Sequence, residues 1–138
     1  MKKNILLAIL FIALAASFYG YKLYHKEHKN LNEIKPDYIV SPANLLAEFE
    51  VDETAAQTKY VNKIIQIEGK LLDIQKVGEQ VIWIISTSSP LSNIQCEMDP
   101  RYIHQVNKNV VKGTKVIVQG ICSGKLMDII LNQVVYKS

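Results

Sequence analysis

Arginine is almost missing from this chain: among 16 basic residues in 138, Arg101 is the single arginine. Arginine is the side chain best shaped for bidentate phosphate contacts, so its scarcity weighs against polynucleotide recognition. The placement of charge adds to this. Residues 1–29 hold five lysines and one acid, Glu27, which leaves residues 30–138 with 11 basic and 12 acidic side chains, a net of −1. Nucleic-acid binders carry a basic footprint, and the body of this chain has none. Cysteine is scarce as well. Cys96 and Cys122 are the only two, with no C-x-x-C spacing to suggest redox or soft-metal chemistry and no cysteine closing the apolar N-terminal run for lipid attachment.

Catalytic signatures are missing too. No G-x-S-x-G turn occurs, and the hydroxyl-rich loop Thr87–Ser92 has only His104 within the domain as a partner base. Tyr60, His104 and the scattered acids lack the spacing that acid–base work demands. His25 and His28 stand at i, i+3, but two histidines without a third ligand are weak evidence for zinc. The acids Glu48, Glu50, Asp52 and Glu53 lack the loop spacing of a calcium site and fit a solvated helix face. The chain is therefore expected to be no enzyme, with neither cofactor nor metal.

What is present begins with Ile5–Tyr21, seventeen residues without a charge, preceded by Lys2 and Lys3. A helix of about 19 residues nearly crosses a ~30 Å hydrocarbon layer, and Tyr19, Tyr21 and Tyr24 would sit at one interface. Residues 1–24 are expected to form a transmembrane signal-anchor, 25–40 a polar stalk, and 41–138 a domain on the extracytoplasmic side. A cleaved signal peptide is the alternative, since Ala13-Leu14-Ala15 is an A-x-A site, although the apolar run continues past it.

The domain opens at Ser41-Pro42, a helix N-cap followed by proline at the first position. Leu45, Leu46, Phe49, Ala56 and Tyr60 recur at helical spacing. Tyr60–Leu72 is an isoleucine-rich strand with Gly69 inside it, the mark of a bend or close backbone approach. A strand bent there can pair in two directions. After a turn at Lys76–Glu79 come strands at Gln80–Ser86 and Asn93–Met98, and Asp99-Pro100 starts a short helix over Arg101–Val106. Strands at Lys115–Ile121 and Met127–Tyr136 follow, with a turn at Ser123-Gly124. Five strands with a helix between the third and fourth give a mainly β fold: a five-stranded oligonucleotide/oligosaccharide-binding (OB) barrel with an N-terminal helix, preceded by the transmembrane helix. In an oxidising compartment Cys96 and Cys122 would form a structural disulfide closing about 27 residues, worth roughly 3–4 kcal/mol. Buried free thiols are the alternative.

The helix A-N-L-L-A-E-F-E, Lys59-Tyr60, Ile67-Glu68-Gly69-Lys70-Leu71, Gln95-Cys96, Lys112-Gly113 and Gln119-Gly120-Ile121-Cys122-Ser123-Gly124 resemble the tRNA-anticodon-like OB-fold family of small exported or membrane-anchored bacterial proteins. The resemblance covers residues 41–136. It implies the barrel and an envelope location, and supplies no catalytic residue. The expected function is a membrane-anchored envelope module that binds a protein, glycan or small ligand. The ligand face of such barrels lies on the second and third strands and adjacent loops, which nominates Trp83, Ser86, Thr87, Gln95 and Glu97. The alternative is nucleic-acid binding, for which Lys70, Lys76, Lys108, Lys112 and Lys115 would have to cluster beside stacking aromatics.

Overall fold

The computed structural model describes residues 2–24, 30–106 and 109–137. His25, His28 and Lys108 lie outside that set. The elements in order are helix α1 (Lys2–Tyr24), strand β1 (Tyr38–Val40), helices α2 (Pro42–Val51) and α3 (Glu53–Tyr60), strands β2 (Ile64–Val77), β3 (Gln80–Ile85) and β4 (Ile94–Met98), a 3-10 turn at Ile103–Gln105, and strands β5 (Lys115–Lys125) and β6 (Ile129–Tyr136).

The bent strand is β2. Its first half, Ile64–Lys70, pairs antiparallel with β5, and its second half, Leu71–Val77, pairs antiparallel with β3. β3 pairs with β4, β4 runs parallel to β6, and β6 returns to β5, so the five strands close into a barrel in the order β2-β3-β4-β6-β5-β2. The register slips at Leu71/Asp73, which supplies the bend as a bulge. Gly69 serves a different need. A Cβ there would meet Ile85 Cγ2 at 2.6 Å and the Pro42 ring at 2.8 Å, so glycine lets the start of α2 sit directly on the strand.

Side chains from both ends of the chain fill the interior. Leu45, Leu46 and Phe49 of α2 and Tyr60 of α3 pack over the barrel, joining Ile65, Ile67, Leu71, Ile85, Ile94, Val116, Val118 and Leu131. Burial of this apolar area is the main stabilising term. The expected single helix Ser41–Tyr60 is in fact two. Ser41 caps α2 through its hydroxyl, which accepts from the Asn44 N–H at 3.2 Å. Asp52 then adopts extended backbone (φ −150°, ψ 93°), ends α2, and caps α3 by accepting from the Ala55 N–H at 3.0 Å. The hairpin is folded back on itself by Glu48, which accepts from Lys59 Nζ at 2.7 Å and from the Tyr60 hydroxyl at 2.8 Å. Glu48 and Asp52 thus hold the hairpin together, while Glu50, Asp52 and Glu53 are exposed as a solvated face.

Four further expectations are corrected. The turn near Ser123-Gly124 is a bulge within β5, where Gly124 takes φ +114°, and the chain reverses at Leu126–Asp128 instead. The helix over Arg101–Val106 shrinks to one 3-10 turn at Ile103–Gln105, although the Asp99 carboxylate accepts from the Arg101 N–H at 3.0 Å in the manner of an N-cap and also holds the Arg101 guanidinium.

Cys96 and Cys122 are both free and buried. Each is the register partner of Leu131, on opposite sides of it, so they stand two strands apart. At ~4.8 Å per strand their Cα atoms are about 10 Å apart, beyond the ~7 Å a disulfide can bridge. Burial raises both thiols above the usual range, which makes them inert core residues.

The described part of the polar stalk, Asn30–Val40, is built into the domain. Leu31 is 1% exposed and forms a small second core with Ile64 and Val135. The fully buried Gln119 donates from Nε2 to the carbonyls of Leu31 (2.9 Å) and Ile34 (2.7 Å). Asp37 accepts from the Ile64 N–H at 2.8 Å, and β1 adds in parallel to β2. This strap covers the β5–β6 side of the barrel.

In α1 the apolar side chains are exposed, from 59% at Ile5 to 78% at Phe11. Among the described residues no helix is long and apolar enough to cross a membrane, so the expected transmembrane helix is not established by the fold.

Candidate functional site

Strand pairing decides which side chains look outward. Trp83 and Cys96 are register partners and both are buried in the core, so their neighbours along each strand face out. The outward side of β2–β3–β4–β6 therefore carries one row of Asp73, Ile84, Gln95 and Ile130, in which Ile84 is itself buried, and a second of Gln75, Ile82 and Glu97. Isoleucines alternate with amides and acids. No lysine, arginine or aromatic ring occupies these seven positions.

At the β4 end the face drops into a cleft of about 470 Å³ lined by Gln80, Glu97, Met98, Asp99, Pro100, Arg101, Asn132 and Gln133. Its shape comes from a second bulge. The β4–β6 register jumps from Cys96↔Leu131 to Met98↔Val134, so Asn132 and Gln133 together stand opposite Glu97, and Gln133 takes the left-handed conformation (φ 52°). That conformation is strained for a residue other than glycine, and bulges of this kind re-aim side chains beside functional sites. Asp99, 5% exposed, holds the Arg101 guanidinium from below at 2.5 Å and raises its pKa further. Glu97 enters no ion pair among the described residues.

The nominated residues divide. Trp83 is 2% exposed and packs edge-on against Tyr136 with centroids 5.8 Å apart, so it is core and offers no stacking platform. Ser86 and Thr87 shape their own loop: the Ser86 hydroxyl donates to the Thr87 carbonyl, and the Thr87 hydroxyl to the carbonyls of Ser89 and Ser92. Gln95 and Glu97 share the outer face. Gln95 Nε2 donates to Asp128 at 2.7 Å, and the other Asp128 oxygen accepts from the Asn93 N–H at 2.8 Å, which pins the β5–β6 hairpin to the face. That hairpin tip carries Leu126 and Met127, each 81% exposed.

The cleft residues Gln80, Arg101, Asn132 and Gln133 were not expected. One signal for them exists: Leu131-Asn132-Gln133-Val134 breaks strand alternation with two adjacent polar residues, which is how a bulge looks in a sequence.

The lysines form no basic groove among the described residues. Lys70 and Lys115 are cross-strand partners on the β2–β5 side, but Lys115 pairs with Glu68 at 2.5 Å and Lys112 with Asp73. Lys76 lies apart, opposite Val81 near the β2–β3 turn. No group of three His, Cys, Asp or Glu side chains among the described residues is placed to hold a metal.

A closed five-stranded barrel with this strand order and a β4–β6 parallel closure is an OB-fold. The sequence matches the tRNA_anti-like family over residues 1–135, and the chain belongs to that family. No curated protein matches it. Among solved structures it is similar to a lipoprotein of Klebsiella pneumoniae subsp. pneumoniae MGH 78578, provisionally described as nucleic acid-binding, with 13% identity and a TM-score of 0.58 over 71% of this chain and 91% of the other. It is also similar to a protein of Leishmania major Friedlin provisionally described as an aspartyl-tRNA synthetase, with 11% identity and a TM-score of 0.48. That match covers 80% of this chain and 22% of the other. At 13% identity the likeness to the lipoprotein concerns the fold.

Proposed function

We propose that this chain is a non-catalytic binding module of the cell envelope, held at a membrane by α1 and binding its ligand on the outer β3–β4 face and the adjoining cleft. The observation that carries the reading is that uncovered face. Its isoleucines alternate with polar groups, its flanking hairpin exposes Leu126 and Met127, and a strained bulge shapes the cleft at its end. A mostly preformed concavity with a few convergent polar groups is where small barrels take ligands.

The anchor reading rests on the charge-free run Ile5–Tyr21 within α1, whose described large apolar side chains are exposed. Such a helix needs an apolar surrounding. The family match begins at residue 1 and so takes in α1. Five residues separate Tyr24 from the docked strap at Asn30, a span of at most about 20 Å. The strap therefore keeps the barrel close to the bilayer. Resistance of the full-length protein to alkaline extraction from membranes supports the anchor, and release into the supernatant contradicts it.

The face is tested by a photo-crosslinking residue at position 95 in intact cells, compared with one at Ile117 on β5. An adduct of defined mass from position 95 alone supports the reading; adducts from both positions or from Ile117 alone refute it. The Klebsiella neighbour's description as nucleic acid-binding motivates a parallel arm. A crosslink from position 95 to nucleic acid would favour that second reading, against the face's lack of basic and aromatic groups.

A further inference from the structure

We infer that the ligand of this face is a polypeptide segment carrying a lysine or arginine flanked by apolar side chains, with Glu97 receiving the cation at the mouth of the cleft. The inference rests on the proposed function of the β3–β4 face and names its partner class. Three observations carry it.

The first is charge. Of the acids on or beside the face, Asp73 is paired with Lys112 and Asp99 with Arg101, while Asp128 is occupied by the Asn93 N–H and the Gln95 amide. Glu97 alone is half-buried at the cleft without an ion pair among the described residues, because Arg101 on the same lining is held by Asp99. A carboxylate so placed attracts a positive group and repels a phosphate backbone, and its low-dielectric flank strengthens both effects.

The second is spacing. Gln95 and Glu97 stand two residues apart on β4, and the partly exposed Ile82 is the register partner of Glu97, so a polar row along β4 runs beside an apolar position on β3. That two-residue spacing along β4, about 6.8 Å, is the one at which an extended peptide laid along the strand presents its same-face side chains. A sugar chain would instead want an exposed aromatic plate, and the one tryptophan is in the core.

The third is the rim. Leu126 and Met127 stand exposed beside Gln95, tied there through Asp128. Exposed methionine and leucine at a loop tip suit adaptable contact with apolar side chains of a protein partner.

The test uses the full chain in nanodiscs of zwitterionic lipid, with empty nanodiscs subtracted. The probes are a fluorescent hexapeptide of alternating lysine and leucine, its glutamate–leucine counterpart, and an oligothymidylate. The lysine–leucine peptide is expected to bind with an affinity that falls as salt rises. Glu97→Gln should weaken it about 5-fold and Glu97→Lys by at least about 10-fold, with unchanged thermal melting, while Glu79→Gln on the β2–β3 turn changes nothing. Equal affinity of wild type and Glu97→Lys overturns the inference, as does tighter binding of the oligothymidylate or the acidic peptide. A partner captured at position 95 together with no lysine–leucine binding overturns the ligand class and leaves the face standing. Absence of both removes the face as well.

Discussion

Gln119 and Gln95 are the same residue on two sides of one barrel, and they have opposite duties. Gln119 is fully buried beneath the strap, with both Nε2 hydrogens spent on backbone carbonyls and its Oε1 left without a partner. Gln95 lies half-exposed on a face that no segment among the described residues covers, and its side-chain amide donates to a hairpin acid, Asp128. On the strap side the chain has supplied its own ligand, in the form of residues 30–40. On the β3–β4 side the corresponding surface is open. Polar groups become structural where the chain folds back over them and available where it does not.

This contrast can be broken at graded cost. Gly69→Val should do the most damage, because its side chain would overlap Ile85 and Pro42 beneath α2. A loss of about 3 kcal/mol in denaturant melts is expected, and an unperturbed midpoint would remove the close-approach account of that glycine. Gln119→Leu comes next. It leaves the Leu31 and Ile34 carbonyls unpaired but also deletes a buried orphan oxygen, so about 1–2 kcal/mol is expected. Hydrogen exchange should show lost protection over residues 31–40 with β3 and β4 unchanged.

Glu48 gives a smaller, pH-dependent effect. The hydrogen bonds from Lys59 and then Tyr60 hold its carboxyl below the ordinary value of 4.5. Its contribution is therefore complete above that value and fades as the pH falls through the lower folded value. The pair is exposed to solvent by about two-fifths on each side, so screening keeps the effect near a few tenths of a kcal/mol. Wild type should exceed Glu48→Gln slightly in thermal midpoint at neutral pH, with the gap closing below pH 4.5. Glu97→Gln should shift stability least, within about 0.5 kcal/mol, since no described group depends on it for a bond. A large loss there would mean that Glu97 belongs to the fold rather than to the open face.

The barrel was legible because its signals are local and redundant. Isoleucine runs, Ser41-Pro42 and the glycine inside β2 all point to the same element order, and consistency of that kind is what specifies a fold. The Cys96–Cys122 pairing misled because sequence separation says nothing of strand order: β6 comes last in the chain yet inserts between β4 and β5. The strap was hidden for a related reason, since it bonds to groups 73 to 105 positions away in sequence, as Asn32 does to Gln105 and Lys137 to the Asn32 carbonyl. For the site, the strand face was readable from alternation, which put Gln95 and Glu97 on the outward side of β4. Trp83 lay one residue out of phase with the outer face, and a one-residue offset in a strand turns a side chain from solvent to core.

The most direct test of the central claim is a hydrogen-exchange footprint of the full-length protein with and without the partner captured at position 95. The account predicts slowed exchange in β3, β4 and Leu126–Asp128 with the strap unchanged. Protection gained over Leu31–Ile34 or α2–α3 while β3 and β4 stay as they were would contradict it.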